Sequence, residues 1–143
     1  MVTLVLNDVA LAAVLEALNL PYNVRLWTFA SDSHGVKGPE FLAINPNDRV
    51  PALQDPNTNI TSWESMACIN YLLRNYDTDD KLVKNDDAYK RVVDLHFEPW
   101  IRQYGYAGLS LDEYPKIKAW LDRVQGLPEV IKAYEMVKAR EEA

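Results

Sequence analysis

Pro39–Leu72, PEFLAINPNDRVPALQDPNTNITSWESMACINYL, is the stretch from which the fold can be read. Proline at the first position of Pro39 to Leu42 predicts a short helical turn, because its fixed φ suits a helix start and its missing N–H costs nothing there. Val50-Pro51 leads into a short apolar run, and Pro51 to Gln54 reads as a strand. Asp55-Pro56-Asn57 is a tight turn into a second short strand, Asn59 to Thr61. Trp63 to Arg74 then carries Met66, Ile69, Leu72 and Leu73 on one stripe, the period of an amphipathic helix. Thr61-Ser62-Trp63-Glu64 has the form of a capping box for that helix, hydroxyl at the cap and carboxylate three residues on.

Working outward, Val2 to Leu6 is a short, partly β-branched apolar run and predicts a buried strand. Asn7 or Asp8 can cap the helix that follows, in which Val9, Leu11, Ala12, Leu15 and Leu18 recur at helical spacing. Asn19 is a left-handed stop before Leu20-Pro21. Tyr22 to Phe29 alternates as a second strand, completing a βαβ unit whose parallel pairing requires the crossover helix. Ala30 to Gly38 is polar and glycine-bearing, a mobile loop by composition. Beyond Arg74, the acidic run Asp77 to Asp80 reads as a solvated loop. Asp86 to Tyr104 is a helix that Pro99 kinks or ends, with His96 as a satisfied core or interface histidine. Gly105 to Leu111 connects it to Asp112 to Gln125, a helix with Asp112 at its cap and Pro115 in its first turn. Gly126 stops that helix, and Pro128 starts a last one running to about Arg140.

Bulk properties narrow the function classes. A chain of 143 residues can bury one good core or two small subdomains sharing an interface. A net charge of −6, with no basic run, argues against a nucleic-acid partner. Cys68 is the single cysteine. It precludes an internal disulfide, fits a reducing compartment, and by its place on the apolar stripe reads as a buried structural thiol. No stretch is long and apolar enough for a transmembrane span. Met1 to Leu6 lacks the basic flank of a secretory signal, so the expected location is the cytoplasm, with no membrane partner.

The order βαβ, loop, ββα resembles the thioredoxin-like domain of glutathione transferases. The segments that carry the likeness are Leu18–Tyr22 (LNLPY), Ile44–Leu53 (INPNDRVPAL) and Trp63-Glu64-Ser65. Ala88–Phe97 (AYKRVVDLHF) and Glu113–Lys132 (EYPKIKAWLDRVQGLPEVIK) resemble parts of the family's helical half. The resemblance implies an α+β chain: residues 1–76 a thioredoxin-like glutathione-binding domain, residues 86–143 a reduced all-α domain lacking some of the family's usual helices. It also implies glutathione as co-substrate, no metal, a hydrophobic electrophilic second substrate and a homodimer.

Site residues follow from the same likeness. A residue before a cis-proline leaves its N–H and C=O free to pair with an extended peptide, which places the cysteinyl backbone of the ligand on Val50, before Pro51. Taken alone, the dipeptide reads equally as a trans proline opening an edge strand. Ser65, at a helix start, suits a carboxylate, and Glu64 suits an ammonium; the capping box is the other reading of Glu64. Lys37 lies where some members hold the glycyl carboxylate, and is otherwise a solvated lysine. Arg49 reads as structural, paired with Asp48 or Glu40. Counting back from LNLPY aligns Asn7 with the catalytic asparagine of the nitrogen-regulator-like class, where Asn7 as a plain helix cap is the alternative. Trp100, Tyr104, Tyr106 and Trp120 read as core aromatics before they read as a substrate pocket. Two further functions share the fold: a biosynthetic isomerase or cyclase that does not turn over glutathione, and a non-enzymatic interaction module.

Overall fold

A computed structural model describes residues 2–6, 8–33, 35–83 and 86–141. Strand β1 (Val2–Leu6) runs parallel to β2 (Tyr22–Leu26), with Leu4 opposite Val24. The crossover between them is α1 (Val9–Ala17), capped by Asp8, whose carboxylate accepts the Leu11 N–H at 3.3 Å. Six consecutive residues, Ala10 to Leu15, are buried. A helix apolar all round must be covered on every side, and α1 is the central helix of the molecule. It ends where Asn19 turns to φ 54, the left-handed stop expected of an asparagine.

The short helix α2 (Pro39–Leu42) leads to β3 (Ala52–Asp55) and β4 (Ile60–Trp63). Strand β3 is antiparallel to β1 and to β4, giving the order β2-β1-β3-β4. Then come α3 (Ser65–Tyr76), α4 (Asp86–Arg102), a 3-10 turn at Tyr104–Ala107, α5 (Pro115–Gln125) and α6 (Pro128–Glu141). The architecture is α+β, a thioredoxin-like sheet followed by helices. Helices α4 and α6 pack on α1. One core therefore joins Leu11, Leu15, Leu53, Ile69 and Leu72 to Val92, Leu95, Val124, Val130 and Ala133. A second, smaller cluster holds Trp27, Val36, Phe41 and Ala52, with Trp27 edge-on to Phe41 at 5.3 Å between ring centroids.

Several expectations are corrected. Strand β2 stops at Leu26, because Trp27 turns into the second cluster while Phe29 is left 70% exposed. The loop that follows is folded back on itself. Thr28 bridges to Gly35, and the Val36 N–H donates to Thr28 O at 2.9 Å. A side chain at Gly35 would meet Ala30 O at 2.0 Å, so the turn closes only around a glycine. Thr61 lies in β4 opposite Gln54 and caps nothing; Trp63 is the last strand residue, and α3 begins at Ser65. Glu64 is itself the residue at the cap, at φ 69 and ψ 122, with no side-chain capping bond. The capping box is a strand end followed by a sharp turn.

The acidic run is not all solvated. Asp77 is buried and accepts the N–H groups of Lys81 at 2.7 Å and Leu82 at 2.8 Å, tying down the link to the helical half. Helix α5 starts at Pro115 with Tyr114 at its cap, leaving Asp112 outside it. His96 is half-buried rather than satisfied, its Nδ1 being buried without a hydrogen-bond partner among the described residues.

Candidate functional site

Several parts of the chain converge on one cleft of about 1010 Å³. The start of α1 contributes Asp8, and the loop before β3 contributes Asp48 to Pro51. The start of α3 contributes Ser65. Across from these stand the C-terminal end of α4 and a face of α6. Because α1 packs on both α4 and α6, its N-terminus opens onto the seam between the sheet and the helices.

The Val50-Pro51 peptide bond is cis, as the INPNDRVPAL segment implies. The preceding turn is built by Asn45, buried, whose amide donates to Arg49 O at 2.6 Å while its Oδ1 accepts the Asn47 N–H at 3.0 Å. Among the described residues no hydrogen bond engages the Val50 backbone. The second wall is the first turn of α3. Its first helical bond is Cys68 N–H to Glu64 O, so the N–H groups of Ser65, Met66 and Ala67 have no partner within the helix and polarise that end positively. The Ser65 hydroxyl donates to Asp8 Oδ2 at 2.6 Å. Asp8 thus caps α1 with one carboxylate oxygen and holds Ser65 with the other.

The structure brings three of the sequence-derived site residues, Val50, Pro51 and Ser65, onto this cleft. Glu64 lies beside Ser65 but is exposed and outside the cleft lining, and so is Lys37, an exposed loop residue. Asn7 lies outside the described residues. Arg49 lines the cleft, and its expected partner Glu40 is taken by Arg25 at 3.0 Å. Cys68 is fully buried; burial pushes its thiol up to about 11, with the charges of Asp8 and Glu64 adding in the same direction, which makes it a poor nucleophile.

On the helical wall, the pocket reading of the aromatics holds for two of them in place of the preferred core reading. Trp100 and Tyr106, expected in the core, are 70% and 95% exposed and line the cleft, whereas Trp120 packs inward and donates to Asp94 at 2.7 Å. Arg102 and Tyr134 also face the cleft. Behind them sits Glu98, 1% exposed, which accepts from Arg102 Nε at 2.6 Å and from Tyr134 Oη at 3.0 Å. Burial, with the Glu98 charge behind it, raises the Tyr134 phenol well above its ordinary range. The only sequence trace of this unit was the i, i+4 spacing of Glu98 and Arg102.

Residues 11–75 match the N-terminal domain family of glutathione S-transferases. The glutathione S-transferase-like protein gedE of Aspergillus terreus is 49% identical over 72 residues, 50% of this chain and 30% of that protein. The glutathione S-transferase-like protein OpS6 of Beauveria bassiana is 30% identical over 131 residues, 92% of this chain and 55% of that protein. Ure2p in complex with S-hexylglutathione superposes with a TM-score of 0.78 at 22% identity, over 92% of this chain and 97% of that one, a likeness of fold. The chain belongs to the glutathione transferase family, and spans about a third to just over half the length of these curated relatives. No described helix is long and apolar enough to cross a membrane.

Proposed function

We propose that the cleft binds glutathione and that the protein conjugates it to a hydrophobic, electrophilic small molecule. The observation that carries this reading is the convergence of the Val50-Pro51 turn and the Ser65 helix start on one cleft. An extended tripeptide could pair its cysteinyl backbone with Val50, whose N–H and C=O are unengaged among the described residues. Its γ-glutamyl carboxylate suits the open N–H groups of the α3 first turn. Glu64 and Lys37 are the proposed outer contacts, to the ligand's ammonium and glycyl carboxylate. Ure2p bound to S-hexylglutathione supports the ligand class.

The tripeptide supplies the thiol that forms the new bond to carbon as the leaving group departs and the thiol proton is lost. The chain supplies position, worth several orders of magnitude when the geometry is held. Asn7 is proposed to donate to the thiolate. Exposed Trp100 and Tyr106 give the electrophile an apolar surface. Residues 1–76 and 86–143 are proposed as the two domains facing each other across the cleft, in a cytoplasmic homodimer.

The test is retention on immobilised glutathione with elution by free glutathione, lost in Ser65→Ala, together with turnover of 1-chloro-2,4-dinitrobenzene that disappears in Asn7→Ala. A wild-type protein with a native circular-dichroism spectrum that passes through the column unretained would overturn the reading.

A further inference from the structure

Arg102 is fixed by its neighbours rather than free as a surface charge. A carboxylate as deeply buried as Glu98 is sustained only by strong partners. Here those partners are Arg102 Nε and the Tyr134 hydroxyl. The guanidinium also stacks on the Tyr134 ring, 3.6 Å from its centroid, a second constraint on its plane. With Nε committed to Glu98, the two terminal nitrogens have no acceptor among the described residues. Arg102 lines the cleft with 34% of its side chain exposed. A planar donor pair fixed in advance matches a carboxylate in two parallel hydrogen bonds. Bulk charge does not explain the arrangement, because Asp8, Asp48 and Glu135 offset Arg49, Arg102 and Lys138 around the same cleft. Pro99, Trp100, Tyr106 and Phe29 line the same cleft, the last three presenting open aromatic surface.

We propose that Arg102 reads a carboxylate on a second ligand of this cleft, an aromatic acid: its ring rests on the Trp100 side of the cleft and its anionic end on Arg102, with Glu98 and Tyr134 as positioning residues. The proposal rests on the reading of this cleft as a ligand site, but not on glutathione chemistry.

The test compares 3,5-dinitrobenzoate with its neutral methyl ester by equilibrium dialysis, without glutathione, on the wild-type chain and Arg102→Gln. Wild type should bind the acid about tenfold more tightly than the ester, the scale of hydrogen bonds to a charged partner. Arg102→Gln should abolish that preference while ester affinity changes less than about twofold, leaving glutathione retention as in wild type. Equal binding of acid and ester by wild type refutes the proposal whether or not the variant folds. A preference that survives Arg102→Gln refutes it too, as does selective loss of glutathione retention in that variant, which would make Arg102 a contact of the tripeptide. An acid preference in a protein that never binds glutathione sinks the proposed conjugation and leaves this inference standing.

Discussion

The contact between Asp8 and Ser65 joins two parts of the chain that form the same cleft, and a double-mutant cycle can weigh it. The Ser65 hydroxyl donates to a carboxylate at 2.6 Å, a charge-assisted bond worth about 1.5 kcal/mol where both groups are half-exposed. Asp8 also caps α1 through the Leu11 N–H, a role worth about 1 kcal/mol when lost to alanine. Ser65→Ala should therefore cost about 1.5 kcal/mol and Asp8→Ala about 2.5 kcal/mol. The double variant should match Asp8→Ala rather than the total of the two, a coupling of about 1.5 kcal/mol. Asp8→Asn keeps the cap, since asparagine caps as well as aspartate, and should cost less than Asp8→Ala by about 1 kcal/mol. Urea denaturation followed by far-ultraviolet circular dichroism measures all four. For a chain of 143 residues the melting entropy is about 0.3 kcal/mol/K, so Ser65→Ala should lower Tm by about 5 °C. Additive costs for the two alanine variants would refute the reasoning, because they would mean that the hydroxyl and carboxylate do not meet. Glutathione retention should be compared well below the lowered Tm, so that lost binding is not mistaken for unfolding.

Asp55 predicts the acid limb of stability. Burial would raise its carboxyl, but hydrogen bonds from Tyr71, Tyr76 and Asn57 outweigh that and hold it below the ordinary carboxylate range. A depressed native pKa stabilises the fold above about pH 4 and loses that contribution as pH falls below it. Tyr71, pushed up to about 12 by burial and then by Asp55, stabilises fully below about pH 10 and less as pH rises toward 12. Tyr71→Phe should flatten both limbs of a pH series of urea midpoints; a series parallel to wild type would show that the bond is not made in solution. Cys68, fully buried with its thiol raised to about 11, should not react with 5,5′-dithiobis(2-nitrobenzoate) at pH 8 in the native protein and should react stoichiometrically in 6 M guanidinium chloride. Rapid labelling of native protein would place the thiol in solvent.

Much of this protein was legible from local pattern. Asn19 before Leu20-Pro21, Pro39 and Pro128 at helix starts, and Gly126 at a helix end each act through their own backbone preferences, so element order and the family followed from sequence. Val50-Pro51 and Ser65 were readable because their likeness lies in short contiguous segments. What failed did so where distant residues decide. Thr61 and Glu64 have the spacing of a capping box, yet pairing with β3 draws Thr61 and Trp63 into the sheet and forces Glu64 to φ 69. Asp77 looks like part of a solvated acidic run until the chain beyond it folds back to offer two N–H groups. Trp100, Tyr106, Arg102 and Tyr134 lie on two helices and a turn separated in sequence. No local rule tells which aromatic on an amphipathic helix faces the core and which faces a cleft. The packing of α4 and α6 on α1 decides that, because burying one face of each helix leaves the other face to form the wall opposite Ser65.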